Sequence, residues 1–316
     1  MIRMRKALVL GASGGMGYAL VKELAEQGVQ TVALARTEEK LNRLFKEMEN
    51  VRIAVGNVNK IEDIIDAGKD VDVIFHAVNI PYPEWATGQS IIMENILAAA
   101  KALKAKLAIV DNIYAYGRGD GRKIDESYPK RPHTKKGNIR LEMEHMVNQA
   151  RERGVQSLIA HFPDFYGPHA SNTVLHHTLE TILSGKRAIF VGRQDVEREY
   201  IFTPDGAKAL VTLAMREEAY GQNWNIPGYG VISGHQIIAI IKEITGYRGK
   251  VMTVGKGMIT FIGLFNKMMW EVREMMYLME EPVVLSGDKY KTQIGPLPAT
   301  PYEEGIRRTL EWMKEV

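Results

Sequence analysis

Cysteine is absent from the chain. That excludes a disulfide framework, thiolate metal sites and a cysteine nucleophile together. Long apolar runs are missing too. The longest beyond the opening strand, Met258 to Phe265, falls far short of the roughly 20 residues that cross a bilayer. The opening Met1–Leu10 has the basic-then-apolar look of a secretion signal, but Gly11 interrupts it at once and no small-residue cleavage site follows. It reads as a buried strand, and the protein as cytoplasmic with no membrane partner. Charge of one sign is scarce as well. Lys and Arg number 41 against 38 Asp and Glu, a net +3, which does not call for nucleic acid. The apolar fraction of 45% and charged fraction of 25% exclude disordered and fibrous classes. The 316 residues suffice for one large α/β domain with an appended lobe, or for two domains sharing a cleft.

What is present is a rhythm. Ala7–Leu10, Thr31–Ala35, Val51–Val55, Val71–Ala77, Leu107–Val110 and Leu158–Phe162 are short apolar runs of strand length, separated by helical patterns. That alternation predicts βαβ units around a parallel sheet. Thr37 is placed to cap a helix carrying Leu41, Leu44, Phe45 and Met48. Gly28 stands where the first helix should stop. After about residue 163 the rhythm loosens. Ser233 with Gln236, and Thr300 with Glu303, read as capping boxes. Met258–Glu280, rich in methionine and aromatics, reads as core or pocket lining, with a partner or membrane surface as the alternative.

Gly11-Ala12-Ser13-Gly14-Gly15-Met16-Gly17 follows the first strand and opens a helix with Leu20 and Leu24 on its inner face. Glycines here let the chain turn tightly, admit a pyrophosphate to the backbone and pack helix on sheet. The second strand ends in Leu34-Ala35-Arg36-Thr37, without the carboxylate that usually holds the ribose hydroxyls of NAD. An arginine there suits a 2′-phosphate and an adenine face, so NADP is expected, with NAD as the alternative.

These residues resemble the extended short-chain dehydrogenase/reductases of the NAD-dependent epimerase/dehydratase family over nearly the whole chain. Gly11, Gly14 and Gly17 match the family's glycine loop. Asn57 stands where an Asp near the adenine is usual, and His76-Ala77 matches the segment lining the cofactor on the fourth strand. Tyr116-Gly117 and Tyr166-Gly167-Pro168 match the motifs after the fifth and sixth strands, and Tyr200–Asp205 resembles the return to the cofactor domain. The resemblance implies a Rossmann doubly wound parallel sheet with a smaller C-terminal substrate-binding lobe. Its cofactor domain is expected at 1–163, part of 195–230 returning to it, and its lobe mainly at 164–316. The implied cofactor contacts are Gly11, Ser13, Gly14, Gly15, Met16, Gly17, Arg36, Asn57, Val58, His76, Ala77, Lys136 and Phe162. By the same resemblance a homodimer is expected through Gln89–Leu103 and Ile139–Ala150.

The family's catalytic serine, tyrosine and lysine positions carry Asn112, Lys136 and Arg140. Three readings follow. Lys136, partly desolvated beside the nicotinamide and near Arg140, would have its charged form disfavoured, which suits proton transfer. Arg140 does not deprotonate, but it can hold ribose hydroxyls or an anionic substrate group. Asn112 would polarise a carbonyl or brace the lysine. In the second reading Tyr82, Tyr114 or Tyr166 supplies the acid and contacts substrate. In the third the fold binds NADP as a redox sensor without turnover. The favoured function is NADP-dependent hydride transfer to or from a small organic substrate, with nucleotide-sugar epimerisation or dehydration as the enzyme alternative.

Other features read plainly. The basic stretch Arg118–Arg140 lacks the aromatics of single-strand platforms and reads as a loop entering an anion-facing helix. His176 and His177 point apart on a helix, so no metal is expected. His161 ends a strand at the edge where ligands bind, as a site or core histidine.

Overall fold

The structure, a computed structural model, describes residues 3–171, 173–185 and 187–315. Met1 and Ile2 of the expected opening strand lie outside the described residues. In chain order the first half runs β1 (Lys6–Leu10), α1 (Gly15–Glu26), β2 (Gln30–Ala35), α2 (Glu38–Phe45), β3 (Val51–Val55), α3 (Ile61–Ala67), β4 (Val73–His76), α4 (Trp85–Leu103) and β5 (Lys106–Asn112). Then come β6 (Lys123–Ile124), α5 (Lys135–Glu152), β7 (Ser157–Phe162), β8 (Asp164–Tyr166), α6 (Val174–Leu183), β9 (Ala188–Val191) and β10 (Glu197–Phe202). The last part comprises α7 (Thr203–Ala214), β11 (Asn223–Asn225), β12 (Val231–Ser233), α8 (Gly234–Thr245), β13 (Val251–Val254), α9 (Lys256–Gly263), α10 (Lys267–Val272), β14 (Val284–Leu285), α11 (Asp288–Gln293) and α12 (Tyr302–Glu315).

Seven parallel strands form the main sheet in the order β3-β2-β1-β4-β5-β7-β11. Parallel strands covered on both faces must be apolar on both, and Ala7–Leu10, Val73–Phe75 and Leu158–Ala160 are all buried. One face packs on α1, α2 and α7 through Leu20, Leu24, Leu41, Phe45 and Leu210. The other packs on α3, α4 and α5 through Ile64, Ile92, Ile96, Met143 and Val147. Each fully buried side chain of this size contributes about 1.5–3 kcal/mol. The chain leaves β1 toward one edge and returns at β4 to build the other, so their carboxyl ends open a crevice at the switch point.

The remaining elements build a smaller lobe. It holds the sheet β8-β10-β12 and the pairs β9–β13 and β6–β14. Its core gathers Leu179, Tyr200, Ile237, Tyr302 and Ile306. A further cluster sets Ile113 and Tyr116, from the end of the main sheet, against Met275–Met279 and Leu285.

Local signals hold in part. Gly28 follows α1 at φ +74°, a left-handed residue that glycine adopts without strain. Thr37 is the N-cap residue of α2, but its side chain makes no capping bond. Ser233 and Gln236 form a reciprocal capping box on α8. The second expected box is corrected: Thr300 gives its N–H and hydroxyl to the Asp205 carboxylate at 2.6 and 2.9 Å, tying the approach to α12 back onto α7. Met258–Glu280 divides. Its second half, Met275–Met279, is core, while Phe261, Leu264 and Phe265 stand exposed. Among the described residues no helix is long and apolar enough to cross a membrane.

Candidate active site

The glycine loop sits in the crevice. Gly11 turns at φ +78°, and a β-carbon there would come within 2.8 Å of the Ala77 carbonyl oxygen at the end of β4. A β-carbon on Gly17 would lie 2.1 Å from the Gly11 carbonyl oxygen. Both glycines therefore let backbone pack on backbone. Gly14 differs: its β-carbon would meet only the Gly11 oxygen, at 3.5 Å, so this exposed position looks onto open space. Gly14 is also the N-cap of α1 and no side chain caps it. The first N–H groups of a helix lack intrahelical acceptors, and a pyrophosphate over Gly14 would supply them, favoured by the helix dipole. Ser13, Gly15 and Met16 frame this cradle. The residues present fit a dinucleotide.

Arg36 is exposed just past the end of β2. Asn57 is half-buried, its N–H bonded to Asp63 and its Oδ1 accepting from the Asn59 N–H at 3.1 Å. Val58 is buried, and its carbonyl accepts from Asn95. His76, beside Leu10 in register, is buried. Burial, helped by the Arg140 charge, holds it neutral down to about 3, and its Nδ1 accepts the Val78 N–H at 3.3 Å.

At the ends of β5 and β7 lies a buried polar floor. Asp111 and His161 are register partners at the ends of β5 and β7. The Arg140 guanidinium lies 3.3 Å from the Asp111 carboxylate and 4.4 Å over the Trp85 ring. Burial outweighs that arginine, and the Asp111 carboxyl is pushed up. His161 is held far below its ordinary range by burial and by Lys130, whose ammonium is 3.0 Å from Nε2. Lys130 in turn pairs with Glu144. Arg140 Nε is buried with no acceptor among the described residues.

Above this floor the structure gathers Asn112, Tyr114, Tyr82, Lys136 and Arg140 into one cluster. Asn112 Oδ1 accepts the Tyr114 N–H at 3.0 Å, capping the 3-10 turn Ile113–Tyr116. The Tyr114 and Tyr82 hydroxyls are 2.6 Å apart. Both phenols are pushed up by burial, Tyr82 to about 12. Tyr82 and Tyr114 flank Trp85, with ring centroids 5.1 and 6.1 Å away. Helix α5 is capped by Thr134, and its Gly137 packs on the Tyr114 carbonyl, where a β-carbon would come within 2.7 Å. That approach sets Lys136 beside the tyrosines, with Nζ 4.9 Å from the centre of the Tyr82 ring.

The surroundings of Lys136 differ from those its neighbours in sequence suggest. It is 1% exposed, and its ammonium donates to Glu271 at 2.6 Å and Glu274 at 2.8 Å. The Lys136 N–H also reaches Glu274. The lysine is thus clamped by two acids from α10 and the turn after it, not set free against cations.

Tyr166 and Phe162 stand apart from this cluster. The Tyr166 ring packs on Phe202 and Tyr302 in the lobe core, its hydroxyl against Gly305 and without a partner among the described residues. Phe162 is fully buried against Phe165 and Gly206.

Several residues of the site escape a linear reading. Trp85, Asp111, Lys130, Glu144, Asp164, Glu271 and Glu274 all bear on it. Asp111 carried a usable signal, since it is the acid at the carboxyl end of a predicted strand. Asp164 is half-buried, its carboxyl raised by burial, and its charge bears on both Tyr82 and Tyr114. Glu271 and Glu274 lie more than a hundred residues from Lys136 and carry no local sign of the pairing.

Comparison with known proteins adds to this geometry. The sequence model of the NAD-dependent epimerase/dehydratase family matches residues 7–226. A dTDP-glucose 4,6-dehydratase of Neisseria meningitidis is 22% identical over 98% of this chain and 93% of its own. Two solved structures share the fold. The UDP-glucose 4-epimerase of Thermotoga maritima with UDP-glucose superposes at a TM-score of 0.79 and 20% identity, covering 98% of this chain and 99% of the other. The UDP-glucuronic acid 4-epimerase of Bacillus cereus in complex with NAD gives 0.80 at 17% identity, with the same coverage.

Proposed function

The chain belongs to the NAD-dependent epimerase/dehydratase family and is an NAD(P)-binding enzyme of oxidoreductase or epimerase/dehydratase type; from that premise we propose that it carries out NADP(H)-dependent hydride transfer to or from a small organic substrate, with Lys136 in the place of the family's tyrosine. The observation that carries the reading is the burial of the Lys136 ammonium beside the Tyr82–Tyr114 pair. Two carboxylates hold the amine beside the tyrosine pair and out of bulk solvent.

When bound, the dinucleotide supplies or accepts the hydride. The Gly11–Gly17 loop holds its pyrophosphate and Arg36 the 2′-phosphate. The Lys136 ammonium donates a hydrogen bond to the substrate oxygen, and on reduction a proton, while Glu271 and Glu274 keep it aimed and, being partly exposed, relay a replacement proton to it from solvent. Asn112 acts as a positioning residue, since it fixes the turn that presents Tyr114. Arg140 pairs with Asp111 beneath the site, and the lobe of 164–316 shapes the substrate side. We assign the protein to the cytoplasm, with α4 and α5 as the face for a homodimer.

A second reading is nucleotide-sugar epimerisation or dehydration, the substrate class named for the relatives, with the Tyr82–Tyr114 pair supplying the acid. Its support is the 2.6 Å hydroxyl contact. One screen separates the two. NADPH oxidation is followed over ketones, aldehydes and enones, and UDP- and dTDP-sugars are followed for epimerisation or dehydration. In Lys136→Met, turnover falls by about 10²–10⁴-fold, the span of general acid–base catalysis, with NADPH affinity kept. Unaltered turnover removes Lys136 from the chemistry. Loss in Tyr82→Phe instead moves the acid to the tyrosine pair. No turnover on any substrate with tight NADPH binding leaves a cofactor-binding sensor.

A further inference from the structure

The hairpin of α9 and α10 presents apolar side chains outward. Gly263 packs so closely on α10 that a β-carbon would lie 3.0 Å from the Trp270 backbone. Asn266 caps α10 by accepting the Met269 N–H at 3.1 Å. The inner side of the hairpin rests on the core through Ile259 and Met269. Its outer side and tip expose Phe265 by 85%, Phe261 by 66% and Leu264 by 63%, with Met258, Ile262 and Trp270 around them. Most of the large apolar side chains exposed among the described residues fall in this one hairpin. A helix pair apolar on both sides is built to have its outer side covered.

Charge says what covers it. From Tyr247 to Trp270 the chain holds Arg248, Lys250, Lys256 and Lys267, all exposed, and no acidic residue. The next acids, Glu271 and Glu274, are turned inward onto Lys136. A second copy of the chain meeting this face across a two-fold axis would bring like charges together. A surface with apolar depth and negative charge answers both features.

We propose that the α9–α10 hairpin docks the protein on an anionic membrane surface, with Phe261, Leu264 and Phe265 entering the headgroup region and Lys256 and Lys267 pairing with lipid phosphates. This is peripheral attachment. It is consistent with the absence of a spanning helix among the described residues, and it does not depend on the reaction assigned above. It also brings the mouth of the site near the lipid, because Glu271 follows directly on Trp270.

The test is flotation of the full chain with vesicles of phosphatidylcholine alone or mixed with phosphatidylglycerol, at low and high salt. The protein is expected to float with the mixed vesicles, to stay behind with neutral ones, and to be released by salt. Lys256→Gln and Lys267→Gln are each expected to weaken binding about fivefold, and Leu264→Ser with Phe265→Ser to abolish it. These side chains are exposed, so thermal unfolding should not move, and NADPH binding serves as a second control. Failure to bind mixed vesicles, or equal binding to neutral ones, overturns the proposal. So does a dimer in sedimentation velocity that Phe265→Ser dissociates without any vesicle binding, which gives the face to a second copy.

Discussion

Lys136 Nζ donates to Glu271 Oε2 at 2.6 Å across 135 residues of chain, and the lysine side chain is 2% exposed against 27% for the glutamate. Removing one member of such a pair leaves charge without a partner. Because the acids keep some water, the cost sits below that of a fully buried pair. Lys136→Met is expected to destabilise the fold by about 1–3 kcal/mol in denaturant unfolding. Adding Glu271→Gln and Glu274→Gln should recover most of that. Full recovery of stability without recovery of turnover separates the clamp from the chemistry.

The two kinds of glycine in the loop predict two kinds of variant. Gly17→Ala forces a β-carbon onto the Gly11 carbonyl and should lower stability by about 3 kcal/mol or more, as overpacking against backbone does. Gly14→Ala meets no such obstacle. It should unfold close to the parent temperature yet bind NADPH at least tenfold more weakly, since its methyl occupies the cradle. Calorimetric titration alongside thermal unfolding distinguishes them, and normal binding by Gly14→Ala would contradict the cradle.

Arg36 is exposed at the end of β2, so replacing it should leave the fold alone. Arg36→Glu removes a guanidinium from the 2′-phosphate and repels it. NADPH is expected to lose roughly 10–100-fold in affinity, the weight of one or two charge-assisted bonds, while NADH binding holds or improves. Equal loss for both cofactors would place Arg36 on the adenine face alone.

Two buried groups give the stability curve opposite slopes. Glu199 accepts the Leu285 N–H at 3.1 Å, and burial pushes its carboxyl up to about 7 from an ordinary value of 4.5. Between those values the native state binds the proton that the unfolded state releases, so stability falls as pH rises from 4.5 through 7. The loss reaches about 3 kcal/mol. His76 works the other way. It is neutral in both states above 6.5 and held at about 3 in the fold, so its contribution falls as pH drops through that window. Glu199→Gln is therefore expected to match the parent at pH 4.5 and to exceed it at pH 8. A parallel offset at all pH values would show that Glu199 titrates normally.

The sheet was legible because its evidence is local. Apolar runs such as Ala7–Leu10 and Leu158–Phe162 announce strands buried on both faces, and Gly11 and Gly17 announce a turn whose backbone contacts leave no room for a β-carbon. The edges were less legible. Val71–Ala77 shortens to Val73–His76, because strand ends are set by pairing with a neighbour rather than by the run itself. Thr300 had the spacing of a cap, but Asp205 on another helix took its donors. Tyr166 carries a motif at the right place in the sequence, but its ring turns into the lobe core. The site was legible only as a list of positions. Which partner each side chain has, above all the acids around Lys136, depends on contacts between distant segments that no local pattern encodes.

That distance has a consequence in time. The backbone contacts of the glycine turn join Gly11, Leu34 and Ala77, all within the first quarter of the chain, and the Gly11 N–H donates to the Leu34 carbonyl. The partners of Lys136 lie 135 and 138 residues beyond it, and the last strand of the main sheet ends at Asn225. As the chain leaves the ribosome, every strand of the main sheet is synthesised before the clamp is. A nascent chain arrested before residue 271 would hold its cradle with an unclamped lysine. Assembly therefore proceeds from binding toward reactivity, and the reactive centre closes last.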